Sequence, residues 1–391
     1  MSEWKEFYLN DVYTISSGLS KPAESFGLGF PFLSFKEVFN NFFVPENLSE
    51  LVESTDKERL QSSIKKGDVF LTRTSETVKD LGMSCVALED YDNATFNGFT
   101  KRLRPKETIE IVPEYAGYYF RSSKFRKEVT SMSSASTRAS LNNEMIGRLK
   151  IVLPSKIEQS SIAFVLKNLD DKIDNLRRQN ETLEEIARSI FKHWFIDFEF
   201  PNADGKPYKS SGGAMVRSEL GDIPEGWQVG KLSDEFEIIM GQSPAGASFN
   251  EDKQGMIFFQ GRTDFGFRFP TVRLYTTEPK RIAEKFDVLV SVRAPVGDIN
   301  VATDKCCIGR GLAAVRNNYK SYCLHKLKSY RKFFDVFESE GTVFGSLNKQ
   351  NFNDLASIIP MDKVIRQFED IVKTSDSKFY SNDLQIQTLS S

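Results

Sequence analysis

Trp4 to Gly18, WKEFYLNDVYTISSG, is answered by Trp227 to Gly241, WQVGKLSDEFEIIMG, with Trp, Leu, Asp and Gly in register. A pattern carried twice by one chain marks a duplicated structural unit. Working outward, each copy continues into an apolar segment, Phe32-Leu33 or Phe258-Phe259. Lys66 to Leu71 (KGDVFL) then matches Lys285 to Val290 (KFDVLV), and both are apolar and β-branched enough to be strands. Further on the register becomes constant. Ser140-Leu141-Asn142 pairs with Ser346-Leu347-Asn348, Pro154 with Pro360, Lys172 with Lys378 and Leu183 with Leu389, every pair 206 residues apart (140 to 346, 154 to 360).

Each copy divides into a strand-rich globular part and a helical part. The breaks fall at Pro154 and Pro360, where LKIVLP and ASIIP read as last strands and proline disfavours helix in the residue before it. Between the copies, Pro201 to Pro224 is rich in Gly, Pro, Ser and Asp and lacks periodicity, which predicts a flexible linker. The expected organisation is a globular domain over 1–154, a helical spacer over 155–200, a linker over 201–223, a second globular domain over 224–360 and a second helical region over 361–391. The fold class is α+β: two mixed α/β domains separated by two long antiparallel helices, with a pseudo-two-fold internal repeat.

The helical reading rests on spacing. Ile162, Leu166, Leu169, Ile173, Leu176, Leu183, Ala187, Ile190 and Trp194 alternate four and three apart, with Asn180 in the one remaining slot. That is the a/d pattern of a coiled coil over more than four heptads. A helix from Ile162 to Trp194 would be about 50 Å long and must pack against something of similar length. Phe368, Val372, Phe379, Ile386 and Leu389 supply the partner seam, weakened by Ser375 and Asn382. Asn180 is expected to fix register at some cost in stability. The first helical region runs on to Phe198 while the second stops two residues after Leu389. This predicts that Ile186, Ile190, Trp194 and Phe195 lack full cover within the chain.

Composition narrows the classes. With 391 residues and 40% hydrophobic content, the chain can bury a core in each of two or three domains. No apolar run approaches the roughly 20 residues that span a bilayer, and the polar start from Met1 to Lys5 does not resemble a secretory signal. A cytoplasmic protein without a membrane partner is expected. Cys85, Cys306, Cys307 and Cys323 are too few and too unevenly placed for a disulfide framework, and read as buried thiols. The formal net charge of −2 argues against coating nucleic acid by charge alone. Local runs matter more, and Lys101 to Lys150 and Lys305 to Lys332 are both dominated by Lys and Arg.

At this point the residues resemble those of a known family, the specificity subunits of type I restriction-modification enzymes. Ile223-Pro224-Glu225-Gly226-Trp227 looks like the opening of that family's target domain, and Phe96-Asn97-Gly98 with Arg102 to Pro105 like its mid-domain turn. Ser134 to Asn142 (SASTRASLN) and Gly341 to Asn348 (GTVFGSLN) look like its small-residue loop before the final strand. The resemblance implies two target-recognition domains, each reading one half of a bipartite site on double-stranded DNA. It also implies helical regions that dock methyltransferase (M) and restriction (R) subunits. Catalysis, S-adenosylmethionine, ATP and Mg would then belong to those partners, leaving this chain a non-catalytic subunit without a cofactor. The chain itself shows no adenine-methylation motif, Walker A loop or nuclease carboxylate cluster. An alternative is an orphan or decoy coiled-coil subunit that binds methyltransferase without reading DNA.

For DNA contact the candidates in the first copy are Thr137 and Arg138 in the small-residue loop, with Lys101, Arg102, Arg104, Lys124 and Arg126 on phosphate. Arg reads guanine through two parallel hydrogen bonds, whereas Lys and Ser/Thr mostly hold the backbone. In the second copy the candidates are Arg310, Lys326, Lys328, Arg331 and Lys332, with Thr342 and Ser346 in the loop. Phe344 stands where the first copy has Arg138, so the two domains should read different half-sites. Ile162, Leu166, Leu169, Ile173, Leu176, Asn180, Leu183, Ile190, Trp194 and Phe195 form the expected seam and docking face. Its uncovered end would take a methyltransferase subunit or a second copy of the chain. Cys306, Cys307, Cys323 and His325 are not expected to bind metal, because neighbours on a strand point to opposite faces. His193 is expected to pack.

Overall fold

The computed structural model describes residues 4–132, 139–339 and 345–390. Two compact units form, Met1–Lys172 and Ile173–Ser391. In the first, an antiparallel sheet runs in the order Tyr13–Ser17, Thr100–Pro105, Val69–Thr72, Ser84–Val86. Phe26–Leu33 pairs antiparallel with Leu51–Val52 and parallel with Thr95–Phe96. Lys5–Tyr8 pairs with Lys150–Leu153 and ties the start of the unit to its end.

The KGDVFL stretch shows why this sequence makes a central strand. Val69, Phe70, Leu71 and Thr72 are all fully buried. Because side chains alternate across a strand, Val69 and Leu71 enter one apolar cluster with Phe120 and Phe125, while Phe70 enters another with Phe96. A strand buried on both faces has to be apolar throughout, as this one is.

The same scheme recurs in the second unit. Its four-stranded sheet is ordered Glu237–Met240, Leu312–Arg316, Val288–Ser291, Ile299–Val301, and Gln228–Lys231 pairs with Ala356–Ile359. Val288 and Val290 face a cluster that includes Trp227 and Phe368, and Leu289 faces another with Cys306 and Ile308.

The long helix spans Lys156–Phe191 and continues as a π-helical turn over Lys192–Ile196. In the first unit Gln159 seats it: its Oε1 accepts from the backbone N–H of Val112 at 2.9 Å and its Nε2 donates to the carbonyl of Pro154 at 3.0 Å. In the second unit the same helix meets the closing helix, Asp362–Leu389. Phe191 lies 5.7 Å from Phe368, and Asn180 accepts a 3.0 Å hydrogen bond from Nδ2 of Asn382, so these two segments run in opposite directions.

Burial along the expected seam is uneven. Ile173, Leu176, Asn180 and Ala187 are buried, Leu183 and Ile190 are half-buried, and Leu169 is exposed. Ile162 packs against the core of the first unit rather than along a helix pair, and Leu166 is half-buried. Heptad spacing reported the helix but not which neighbour each position meets.

Three expectations are corrected. Trp194 and Phe195 are not uncovered: they are 7% and 5% exposed, and their rings lie 6.2 and 5.2 Å from Phe368. The cover comes from the chain folding back. Phe200 stacks on Trp227 at 5.2 Å, and the N–H of Tyr208 donates to the carbonyl of Phe200. Self-association through that helix end therefore loses its basis; of the face named, only Ile186 is substantially exposed. Second, the stretch read as a flexible linker contains a hairpin, Met215–Ser218 with Gly221–Pro224. Turns and two-residue loops carry no periodicity, which hid this order. Third, His193 is exposed rather than packed.

Candidate nucleic-acid interface

The residues that follow the loops read as DNA-contacting make corresponding contacts in the two units. Strand Ala139–Ser140 pairs with Thr74–Ser75, and Ser346 bridges Arg293. The N–H of Leu141 donates to the carbonyl of Arg73 at 2.8 Å, and that of Leu347 donates to the carbonyl of Val292 at 2.9 Å. Leu141 and Leu347 are each 2% exposed. Asn142 and Asn348 then cap short helices, accepting from the N–H of Met145 and of Asn351, both at 2.8 Å. The repeated Ser-Leu-Asn is thus an exposed pairing residue, a buried anchor and a helix cap. Thr137, Arg138 and Thr342 lie outside the described residues, as does Phe344; Ser346 is exposed.

Most of the basic residues expected on phosphate have partners inside their own unit. Arg102 is 8% exposed and donates from Nη1 to the carbonyl of Ser63 at 2.5 Å. Burial lowers its pKa. Arg104 holds the fully buried Asp68 through Nε at 2.8 Å and Nη2 at 2.6 Å, and that hydrogen bonding raises its pKa. Arg126 donates to the carbonyls of Leu81 and Lys79. Lys326, also buried, donates to the carbonyl of Ile358 at 2.7 Å and lies 3.4 Å from Glu235. Desolvation lowers its pKa. Lys328 pairs with Glu184, which also lies 3.7 Å from Arg268. Arg331 pairs with Asp298 at 2.8 Å and with Asp335 at 3.0 Å.

Lys101 is 7% exposed and donates to Oγ of Ser17 at 2.7 Å, yet it also lines a cavity. Lys124, Arg310 and Lys332 are exposed, and their charged groups make no hydrogen bond or ion pair among the described residues.

Sequence reasoning missed the carboxylates behind the pattern. Asp68 and Asp287 are both fully buried, and Arg316 holds Asp287 as Arg104 holds Asp68, at 3.0 Å from Nε and 2.8 Å from Nη2. Their signal was present: Lys-Gly-Asp and Lys-Phe-Asp occupy matching places in the two copies. Among the described residues no three His, Cys, Asp or Glu side chains gather as a metal site, and the four cysteines are free and buried. Among the described residues no helix is long and apolar enough to cross a membrane.

These features define a class: an α+β chain with two strand-rich sheets of matching strand order, each followed in sequence by a long helix. Residues 1–185 match the family model of the type I restriction modification DNA specificity domain. A Methanocaldococcus jannaschii protein provisionally named the type I restriction enzyme MjaX specificity subunit is 28% identical over 92% of this chain and 83% of its own length. The type I restriction enzyme HindI specificity subunit of Haemophilus influenzae is 22% identical over 100% of this chain and 96% of its own. The crystal structure of a type I restriction-modification system S subunit from M. genitalium aligns over 100% of this chain and 93% of its own, with 14% identity and a TM-score of 0.58, and so shares the fold. The chain is similar to these type I specificity subunits over most of its length.

Proposed function

We propose that the chain is the DNA sequence-specificity subunit of a type I restriction-modification complex, each unit reading one half of a bipartite site. The observation that carries this is one scaffold used twice with different side chains beside the loop: Arg73 in the first unit, Val292 in the second, each accepting from the leucine of Ser-Leu-Asn. A common frame with unlike residues at its rim suits two unlike half-sites.

In this reading Lys124, Arg310 and Lys332 hold phosphates, and Thr137, Arg138, Thr342 and Ser346 lie at the base edges. The helices serve as spacer and docking surface for methyltransferase and restriction subunits, forming a coiled-coil seam within a pseudo-two-fold repeat. Those partners carry S-adenosylmethionine, ATP and Mg and do the chemistry in the cytoplasm. Helix-borne readers address half-sites about one duplex turn, roughly 34 Å, apart or a multiple of it, and a helix of this length is of that order.

The test is to co-express the chain with its methyltransferase in a host lacking adenine methylation and map modified adenines across the genome. A split motif is the expected result. Random or absent modification, with the methyltransferase still bound, would favour the second reading, an orphan or decoy subunit. That reading draws support from the many cations that are paired internally.

A further inference from the structure

A cavity of about 340 Å³ opens in the first unit beside the loop frame, lined among the described residues by Arg73, Thr74, Lys101, Ser140, Leu141, Asn142 and Asn143. Two of these are cations and none is a carboxylate. Among the described residues the Arg73 guanidinium makes no ion pair or hydrogen bond, and its Nε is buried without a partner. A buried donor left unmade costs stability, so such a group is expected to meet an acceptor in the working state. The exposed ring of Phe99 lies 5.8 Å from the guanidinium carbon and supports its orientation. Lys101 has lost water, and the nearby Arg73 charge disfavours its protonated form further, so both effects hold its pKa down.

The second unit supplies an internal comparison. Across the central strand Lys101 stands opposite Leu71, and Ala313 stands opposite Val290 in the same place. Val292 replaces Arg73 by the leucine hydrogen bond already described. The ion pair that braces the scaffold is kept in both units, whereas both cations of this cavity are replaced by aliphatic residues in the second. The scaffold therefore does not need them.

We infer that Arg73 and Lys101 form an acceptor-binding pocket for DNA, specific to the first unit. It takes two closely spaced acceptors, either the oxygens of a backbone phosphate or O6 and N7 of a guanine. This rests on the DNA-reading function proposed above and adds the residues and ligand chemistry of one half-site. An arriving acceptor pair satisfies the orphan guanidinium donors, and on a phosphate it also offsets the repulsion between the two cations.

The test uses the full chain with its methyltransferase, a duplex carrying the mapped motif and a duplex of random sequence, comparing wild type with Arg73→Gln, Arg73→Lys and Lys101→Gln. If the pocket holds a phosphate, Arg73→Gln weakens both duplexes about tenfold and lowers the salt slope by about one charge, and Arg73→Lys restores the slope. If it reads guanine, Arg73→Gln weakens the motif duplex alone, one guanine of a single half-site relaxes in the methylation map, and Lys does not rescue. Either result supports the pocket. Variants that fold, bind both duplexes with the wild-type slope and methylate the same motif would overturn it while leaving DNA reading intact. Failure of the wild-type complex to bind either duplex would overturn the underlying function and this pocket with it.

Discussion

Arg104 holds Asp68 with Nε on Oδ1 and Nη2 on Oδ2, and Arg316 holds Asp287 through the same two nitrogens, both nearest Oδ2 at 3.0 and 2.8 Å. The turn around each aspartate also repeats. Asp68 Oδ2 accepts from the N–H of Lys65 at 2.8 Å, and Asp287 Oδ2 accepts from that of Glu284 at 2.9 Å. Gly67 has φ +86 and Phe286 has φ +67, so one left-handed turn is used twice, once with a residue that adopts it freely and once with one that does not. A cation that looked like a DNA contact in sequence is a brace of the fold.

The brace predicts that Arg104→Ala destabilises the first unit by about 2 kcal/mol, because it strands a buried carboxylate; the partly exposed guanidinium keeps the cost below that of a fully buried pair. Denaturant unfolding checks this. At a concentration where the variant remains folded, the salt slope of DNA binding should stay unchanged. A drop of one charge in the slope without loss of stability would return Arg104 to the interface.

Asn180 and Asn382 are buried at 5% and 0% and bonded to each other, so substituting Asn382 alone should cost about 1–3 kcal/mol by leaving the Asn180 carbonyl without this donor, and substituting Asn180 should cost less, since Asn382 Nδ2 also donates to Gln179 at 3.3 Å. Asn180→Leu with Asn382→Leu should recover most of that loss, at the expense of a uniquely fixed register. Thermal unfolding of all four members of the cycle measures the coupling. Additive losses would show that the amides act independently.

Trp194 is enclosed by Phe195 and Phe368 in the core of the second unit. Trp194→Ala should therefore cost about 3–5 kcal/mol without altering the association state of the fraction that stays folded. Light scattering combined with a melting curve separates the two effects. A stable variant that dissociates from an oligomer would indicate an exposed docking residue instead.

His325 is 2% exposed, against Phe191 and Phe368, and both ring nitrogens lack a hydrogen-bond partner among the described residues. Burial, the largest influence, brings its pKa down to about 4, against an opposing pull from Glu184 and with reinforcement from Lys328; Asp376 raises it and Arg268 lowers it more weakly. Since the folded value lies below the unfolded value of about 6.5, this contribution to stability is complete above pH 6.5 and is lost as pH falls towards 4. Replacing the ring with Phe should remove about 3 kcal/mol of acid sensitivity across that window. Parallel stability profiles for wild type and His325→Phe would show that the ring does not titrate there.

The duplication, the strands at KGDVFL and KFDVLV, the repeat of Ser-Leu-Asn and the long helix were legible in the chain, because each depends on local pattern: register, alternation of faces, heptad spacing. The roles of the basic residues were not. Lys326 and Lys124 look alike in sequence, but one is buried on the carbonyl of Ile358 and the other stands in water. Arg73, outside both basic runs, gained its interest only when the sheet put it beside Lys101. The enclosure of Trp194 likewise needed Phe368, far along the chain, and an aperiodic stretch folding back. What sequence alone determined is therefore the repeated frame, written in short-range periodicities. The tertiary structure decided which charges are neutralised, since neutralisation depends on distances between residues many positions apart, and local pattern carries no record of those distances.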